Sequence, residues 1–245
     1  MSFLEVKGIN YALSDSFELK DISFEIDKKG VYAFLGKSGS GKTLLAQILS
    51  GSRQTKDGVI KYNDVALYEK EGQTAAVKKK IGYVPQKCFF DREDTAFEAL
   101  DLVGKAKNID PDKRYRQIKE ALELTGLSER DEVLVSDMSL SERKRLCIAA
   151  ALLGNPSVII MDEPFQYMDK KQADGIKNII DLLRERKVIL IFTSRHTDLR
   201  EISDNIAFLY NGKIVLWQGT EEIFTVMEEN KLGNLANAYE AFAEA

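Results

Sequence analysis

Most of the features that mark a specialised surface or compartment are scarce or missing in this sequence. Two cysteines, Cys88 and Cys147, stand in 245 residues. That is too few for a disulfide framework, so a reducing compartment is the default expectation. Basic excess is also missing: 35 Lys and Arg against 39 Asp and Glu leave a net charge of -4, which excludes the electrostatic footprint of a nucleic-acid binder. No apolar run approaches the ~20 residues of a membrane-spanning helix. The opening M-S-F-L-E-V-K-G lacks the charged-then-apolar pattern of a signal peptide. There is one histidine, His196, and there is no internal repeat or low-complexity segment. If the chain works at a membrane, another protein must hold it there.

What is present is a frame of strands. With 44% hydrophobic residues, the chain can bury a sizeable core as one domain carrying a subdomain. F-L-E-V-K and F-E-L-K-D-I-S-F-E-I-D alternate as half-buried strands do. V-Y-A-F-L, I-G-Y-V-P at 81–85, V-I-I-M at 158–161 and V-I-L-I-F at 188–192 are continuous apolar runs of the parallel-sheet kind. Between Asp91 and Ser141 the pattern is helical throughout, and Asn211-Gly212 reads as the turn of a hairpin. The reading is an α/β core over 1–90 and 157–220, with an N-terminal antiparallel β subdomain. A helical subdomain is inserted at 91–156, and a helical tail follows at 221–245.

G-K-S-G-S-G-K-T at 36–43 follows a buried strand and precedes a helical pattern, as G-x-x-x-x-G-K-[ST] must. A triphosphate needs several backbone N–H groups turned inward. Gly36, Gly39 and Gly41 permit that path, and Lys37, Ser38 and Ser40 complete the loop. The helix that follows adds its positive end. Lys42 can reach the β- and γ-phosphates, and the Thr43 hydroxyl can ligate Mg²⁺. This spacing predicts an ATP site. V-I-I-M-D-E-P then places Asp162 and Glu163 at the end of a buried strand, the edge where open α/β sheets bind ligands. Asp162 is positioned to hold Mg²⁺ and Glu163 to orient the attacking water or take its proton.

With these two motifs in place, the chain resembles the ATP-binding subunits of ABC transporters over nearly its whole length, a P-loop NTPase core of ABC ATPase type. The resemblance implies roles for further residues. Tyr11 lies where the family sets an aromatic ring on adenine. Gln86, in I-G-Y-V-P-Q, matches the Q-loop glutamine that senses Mg²⁺ and γ-phosphate. Asp169 matches the D-loop aspartate, with Gln166 and Tyr167 replacing the usual small residues before it. The family's switch histidine is matched either by Ser194, counted without gaps, or by His196 if two residues are inserted. His196 is preferred, because imidazole can reach and donate to a phosphate. Cys88, Phe89 and Phe90 fall on the family's docking surface for a permease helix, although two adjacent phenylalanines could equally be core.

The departure from the family is the signature Leu-Ser-Gly-Gly-Gln, which here reads Met138-Ser139-Leu140-Ser141-Glu142. In the family it contacts the γ-phosphate held on the partner subunit's phosphate loop. Leu140 and Ser141 add side chains where backbone must approach closely, and Glu142 adds a negative charge near a tetra-anion. The same residues make a good helix start, with Ser139 and Glu142 as a capping box. Two copies of this chain would share that defect at both sites. A second ABC ATPase subunit with an intact signature is therefore expected, in preference to a homodimer. The other implied partner is an integral membrane permease, which would keep the chain cytoplasmic and peripheral at the inner face of the membrane. D-T-A-F-E-A-L-D-L-V-G-K-A-K-N-I-D and the closing N-L-A-N-A-Y-E-A-F look like exporters built from separate ATPase and permease chains. A soluble ABC-type ATPase of an assembly complex and a non-hydrolysing nucleotide sensor are the competing readings.

Overall fold

The computed structural model describes residues 2–14, 16–68 and 71–243. In chain order its elements are β1 (Leu4–Ser14), β2 (Phe17–Ile26), β3 (Gly30–Leu35), α1 (Lys42–Leu49), β4 (Val59–Tyr62), β5 (Val65–Ala66), α2 (Glu71–Lys79) and β6 (Ile81–Val84). Next come α3 (Ala96–Ala106), α4 (Pro111–Leu124), α5 (Leu140–Leu152), β7 (Val158–Asp162), α6 (Lys170–Arg184) and β8 (Val188–Thr193). The chain closes with α7 (Leu199–Ile202), β9 (Asn205–Tyr210), β10 (Lys213–Gly219), α8 (Thr220–Glu229) and α9 (Leu235–Ala243).

One sheet runs in the order β10-β9-β3-β8-β7-β6 and the other in the order β2-β1-β4-β5. In the larger sheet every neighbouring pair is parallel except the β9–β10 hairpin. Covered on both faces, its strands carry the continuous apolar runs that such burial requires. The side-chain period of two divides them between two cores. From β3, Tyr32 and Phe34 join one core while Val31, Ala33 and Leu35 join the other. From β8, Leu190 and Phe192 face the first core and Ile189 and Ile191 the second. The first core is closed by α1 and the four-stranded antiparallel sheet, the second by α5, α6, α8 and α9.

Residues between β6 and β7 pack as helices around a third core that includes Leu100, Ile118, Leu122, Leu146 and Leu153. The sole strand-like pairing there among the described residues is a bridge between Thr95 and Leu134. Thr95 caps α3 through a capping box with Glu98, and Asp110 caps α4 with Pro111 at its first position. The hairpin turns at Asn211 and Gly212, whose φ angles of 43° and 77° suit a two-residue turn.

One expectation is modified. The tail is two helices, because the chain reverses at Lys231 and Gly233, both at positive φ. Cys88, in the segment after β6, and Cys147, in the middle of α5, lie side by side with Cα atoms 6.3 Å apart.

The parallel strands β3, β6, β7 and β8 all point their carboxyl ends at one edge. Gly36, Gln86, Asp162 and Ser194 therefore emerge side by side, as the switch-point geometry of open α/β sheets dictates.

Candidate nucleotide site

The loop between β3 and α1 is shaped by its glycines. Gly39 and Gly41 have φ angles of 82° and 106°, a region in which a Cβ is strained and glycine is not. Gly41 is also the N-cap of α1, so the helix's unpaired N–H groups open onto the loop. Lys42 is 6% exposed and its ammonium folds back onto the loop, donating to the carbonyls of Gly36 at 2.7 Å and Lys37 at 3.0 Å. Burial pulls its pKa below the ordinary value, against the opposing pull of Glu163 and Asp162. Its Nζ lies 3.9 Å from Glu163.

Asp162 ends β7 with no exposure, and neither carboxylate oxygen receives a hydrogen bond of normal geometry. Burial pushes its pKa up to about 6, while the nearby Thr43 hydroxyl and the Lys144 and Lys42 ammoniums pull the other way. A buried carboxylate without a donor is costly, and a divalent cation is the partner that would relieve it. The hard oxygen donors of Asp162 and Thr43 suit Mg²⁺. The residues present thus fit the metal.

Glu163 follows at φ 48°, a strained angle for a non-glycine residue. Its carboxylate is held on both oxygens, by the Ser194 N–H at 2.8 Å and the Thr193 hydroxyl at 3.2 Å. A cavity of about 690 Å³ brings together Ser38, Gly39, Gly41, Lys42, Thr43, Gln86 and Glu163, with Leu13 and Phe17 along one wall and Gln166, Ser194 and Arg195 along another.

Several expected site residues lie elsewhere. Gly36, Lys37 and Ser40 shape the loop from behind and do not border the cavity. Tyr11 does not line the cavity: its hydroxyl accepts from Arg53 at 3.2 Å, the guanidinium sits 5.7 Å from its ring centre, and it packs on the first core. The register of β1 against β2 shifts between Ile9 and Tyr11 and again between Ala12 and Ser14, so face identity does not carry through. Leu13 and Phe17 reach the cavity instead. His196 also points away, into a separate cavity beside Thr197 and Leu235. Ser194, the alternative counted without gaps, lines the nucleotide cavity. Asp169 caps α6, accepting from Gln172 N–H at 2.8 Å.

Two basic residues escaped notice in the sequence. Arg195 lines the cavity, braced by Thr197 at 2.7 Å and Asp198 at 3.3 Å. Lys144, 1% exposed, donates to the carbonyls of Pro85 at 2.9 Å and Gln86 at 2.8 Å, and lies 3.5 Å from that of Asp162. It ties α5 to the strand ends β6 and β7, and burial pushes its pKa down to about 8. In the string R-K-R it reads as one more solvated charge. Its place on the buried side of α5 was the available signal.

The signature segment is a capping box. Ser139 and Glu142 exchange both bonds of that motif, at 2.8 Å and 3.2 Å, and the Ser139 hydroxyl donates to the Glu142 carboxylate at 2.8 Å. Glu142 also pairs with Arg130 at 2.9 Å. The one signature side chain retained here is thereby engaged by the residue that replaces glutamine.

A buried phosphate loop, an orphaned carboxylate and a second carboxylate at the carboxyl edge of a parallel sheet define a P-loop ATPase. Comparison with known proteins narrows this. Residues 19–166 match the family described as ABC transporter. The phosphate import ATP-binding protein PstB of Bacteroides fragilis is 30% identical, across 94% of this chain and 95% of that one. Among solved structures, an ATP-binding subunit of an ABC transporter superposes with a TM-score of 0.84 at 22% identity, covering 98% of this chain and 99% of that one. A dimeric ATP-binding cassette bound to ADP and Pi gives 0.80 at 22% identity, covering 89% and 98%. The chain belongs to the ABC transporter family, as an ATP-binding subunit that hydrolyses ATP with Mg²⁺.

The state of Asp162 has a measurable consequence. Its carboxyl titrates near 3.8 when unfolded and about 6 when folded. The folded state thus holds the proton more tightly, and stability falls as pH rises from about 4 to about 6. Above that window the buried charge costs about 1–3 kcal/mol. Asp162→Asn should therefore raise the unfolding temperature of the nucleotide-free chain at pH 7.5 by several degrees, with the gain vanishing toward pH 4. Equal or lower stability of the variant at pH 7.5 in calorimetry would contradict the unrelieved charge.

Proposed function

We propose that this chain is the motor subunit of a transporter whose membrane-spanning part is a separate permease, and that it works beside a second, different ATPase chain. The observation that carries the catalytic assignment is the placement of Lys42 and Glu163 on one cavity, 3.9 Å apart, with the buried Asp162 directly before Glu163 at the end of β7. Lys42 faces the β- and γ-phosphates, Thr43 and Asp162 hold Mg²⁺, and Gln86 reports its presence to the helical region. When bound, Mg²⁺ neutralises charge on the transferring phosphoryl group. Glu163 orients water and accepts its proton, held in place by Thr193 and the Ser194 N–H. At the base end Phe17, packed over Gly41, offers the stacking face.

Among the described residues no helix is long and apolar enough to cross a membrane. The docking surface for a permease helix is the groove of about 300 Å³ beside Gln86, lined by Tyr83, Pro85, Phe89, Phe90 and Val103. Phe89 is 83% exposed, which supports docking over core. Attachment there would hold the chain at the inner membrane face. The exporter reading finds no support among the relatives, which include the phosphate importer subunit. The captured Ser139 supports the different second chain. This chain's own catalytic set is complete, so a partner with a free signature would finish one competent site.

Glu163→Gln should keep MgATP binding while lowering turnover by about 10²-fold or more, read by calorimetry and phosphate release. Retained turnover would move the base elsewhere. Phe17→Ala should weaken MgATP several-fold while Tyr11→Ala leaves affinity near wild type. The reverse ranking in the same titration would restore Tyr11 to the base site.

A further inference from the structure

The C-terminal helix α9 reaches back to the start of the phosphate loop through one side chain. Tyr239 is 4% exposed, with its ring edge-on to Phe208 and Tyr210. Its hydroxyl donates to the Leu209 carbonyl at 2.9 Å and accepts from the Lys37 backbone N–H at 3.3 Å. A hydroxyl has one proton, so the pair of bonds has a direction: loop to tail, tail to strand. The Leu209 carbonyl is also the backbone atom that a Cβ on Gly36 would meet, at 2.6 Å, beside the Ser40 hydroxyl. Loop entry, strand end and tail helix therefore converge on one carbonyl.

Lys37 is tied on its other side as well. Its carbonyl accepts from Lys42 Nζ at 3.0 Å and from Ser40 N–H at 3.1 Å. Neither Gly36 nor Lys37 borders the nucleotide cavity, so the N–H given to Tyr239 is not taken from a ligand. A second link joins Lys37 Nζ to Glu240 at 2.8 Å, but those side chains are 65% and 55% exposed. Pairs that exposed contribute little. The buried hydroxyl is the stronger tether.

We propose that Tyr239 is a positioning residue for nucleotide binding. Its hydroxyl holds the entry of the phosphate loop against β9, so the donors that meet the phosphates are arranged before the nucleotide arrives. Pre-arrangement lowers the ordering cost of binding, and one neutral hydrogen bond sets the scale at about three- to tenfold in affinity. Tyr239 hydrogen-bonds to neither Asp162 nor Glu163, so the effect falls on affinity and not on the chemical step.

The test uses the full chain and MgADP in calorimetry, with MgATP turnover alongside. Tyr239→Phe keeps the ring packing and removes both hydrogen bonds. The Kd for MgADP and the KM for MgATP should each rise about three- to tenfold, with kcat within about twofold. Glu240→Gln should leave the Kd unchanged within about twofold. Without nucleotide, amide exchange in the segment 36–41 should quicken in Tyr239→Phe while exchange in β7 stays slow. An unchanged Kd in Tyr239→Phe would overturn the proposal. So would a lost kcat at unchanged Kd, exchange rising equally in β7, or an equal loosening by Glu240→Gln.

Discussion

A carboxylate buried without a hydrogen-bond donor is the constraint around which this molecule is arranged. Asp162 sits at the end of a strand covered on both faces, and neither oxygen is satisfied by protein. Such a group persists only because the surrounding structure fixes it. The parallel sheet does the fixing, since β7 is paired on both sides by β6 and β8. The cations Lys42 and Lys144 lie near enough to temper the charge without bonding to it. Their own ammoniums are committed to backbone carbonyls of the phosphate loop and of the segment after β6. The site is thus a set of charges held apart by backbone, which a metal and a triphosphate would complete.

Distant parts of the chain meet at this site. Lys144 belongs to α5, whose first turn is the signature segment, yet its ammonium holds the carbonyls of Pro85 and Gln86. At the opposite end of the site, α9 holds the loop entry through Tyr239. Elements remote in sequence therefore set the two sides of one cavity.

Much of this was legible in the sequence because the local chemistry has few alternatives. G-K-S-G-S-G-K-T after V-Y-A-F-L admits one structure, since Gly39 and Gly41 take angles that other residues resist. The adjacent carboxylates of D-E-P and the capping box at Ser139 were equally readable from spacing. What was not legible depended on register or on tertiary contact. Tyr11 was placed at the base by family resemblance, and the register shifts along β1 bring Leu13, not Tyr11, to the cavity. His196 was preferred on chemistry, but chain direction after β8 sets Ser194 and Arg195 against the cavity. Lys144 and Tyr239 act through carbonyls and an N–H from other elements, and no pattern of residue types announces such partners.

The central claim is that this chain has a complete catalytic set but a signature that its own Glu142 occupies. The most direct measurement is the ATPase rate of the purified chain alone, wild type against a form carrying Leu140→Gly, Ser141→Gly and Glu142→Gln. A low wild-type rate that rises by roughly tenfold or more in the altered form is the result this account predicts. A brisk wild-type rate that the substitutions leave unchanged would contradict it.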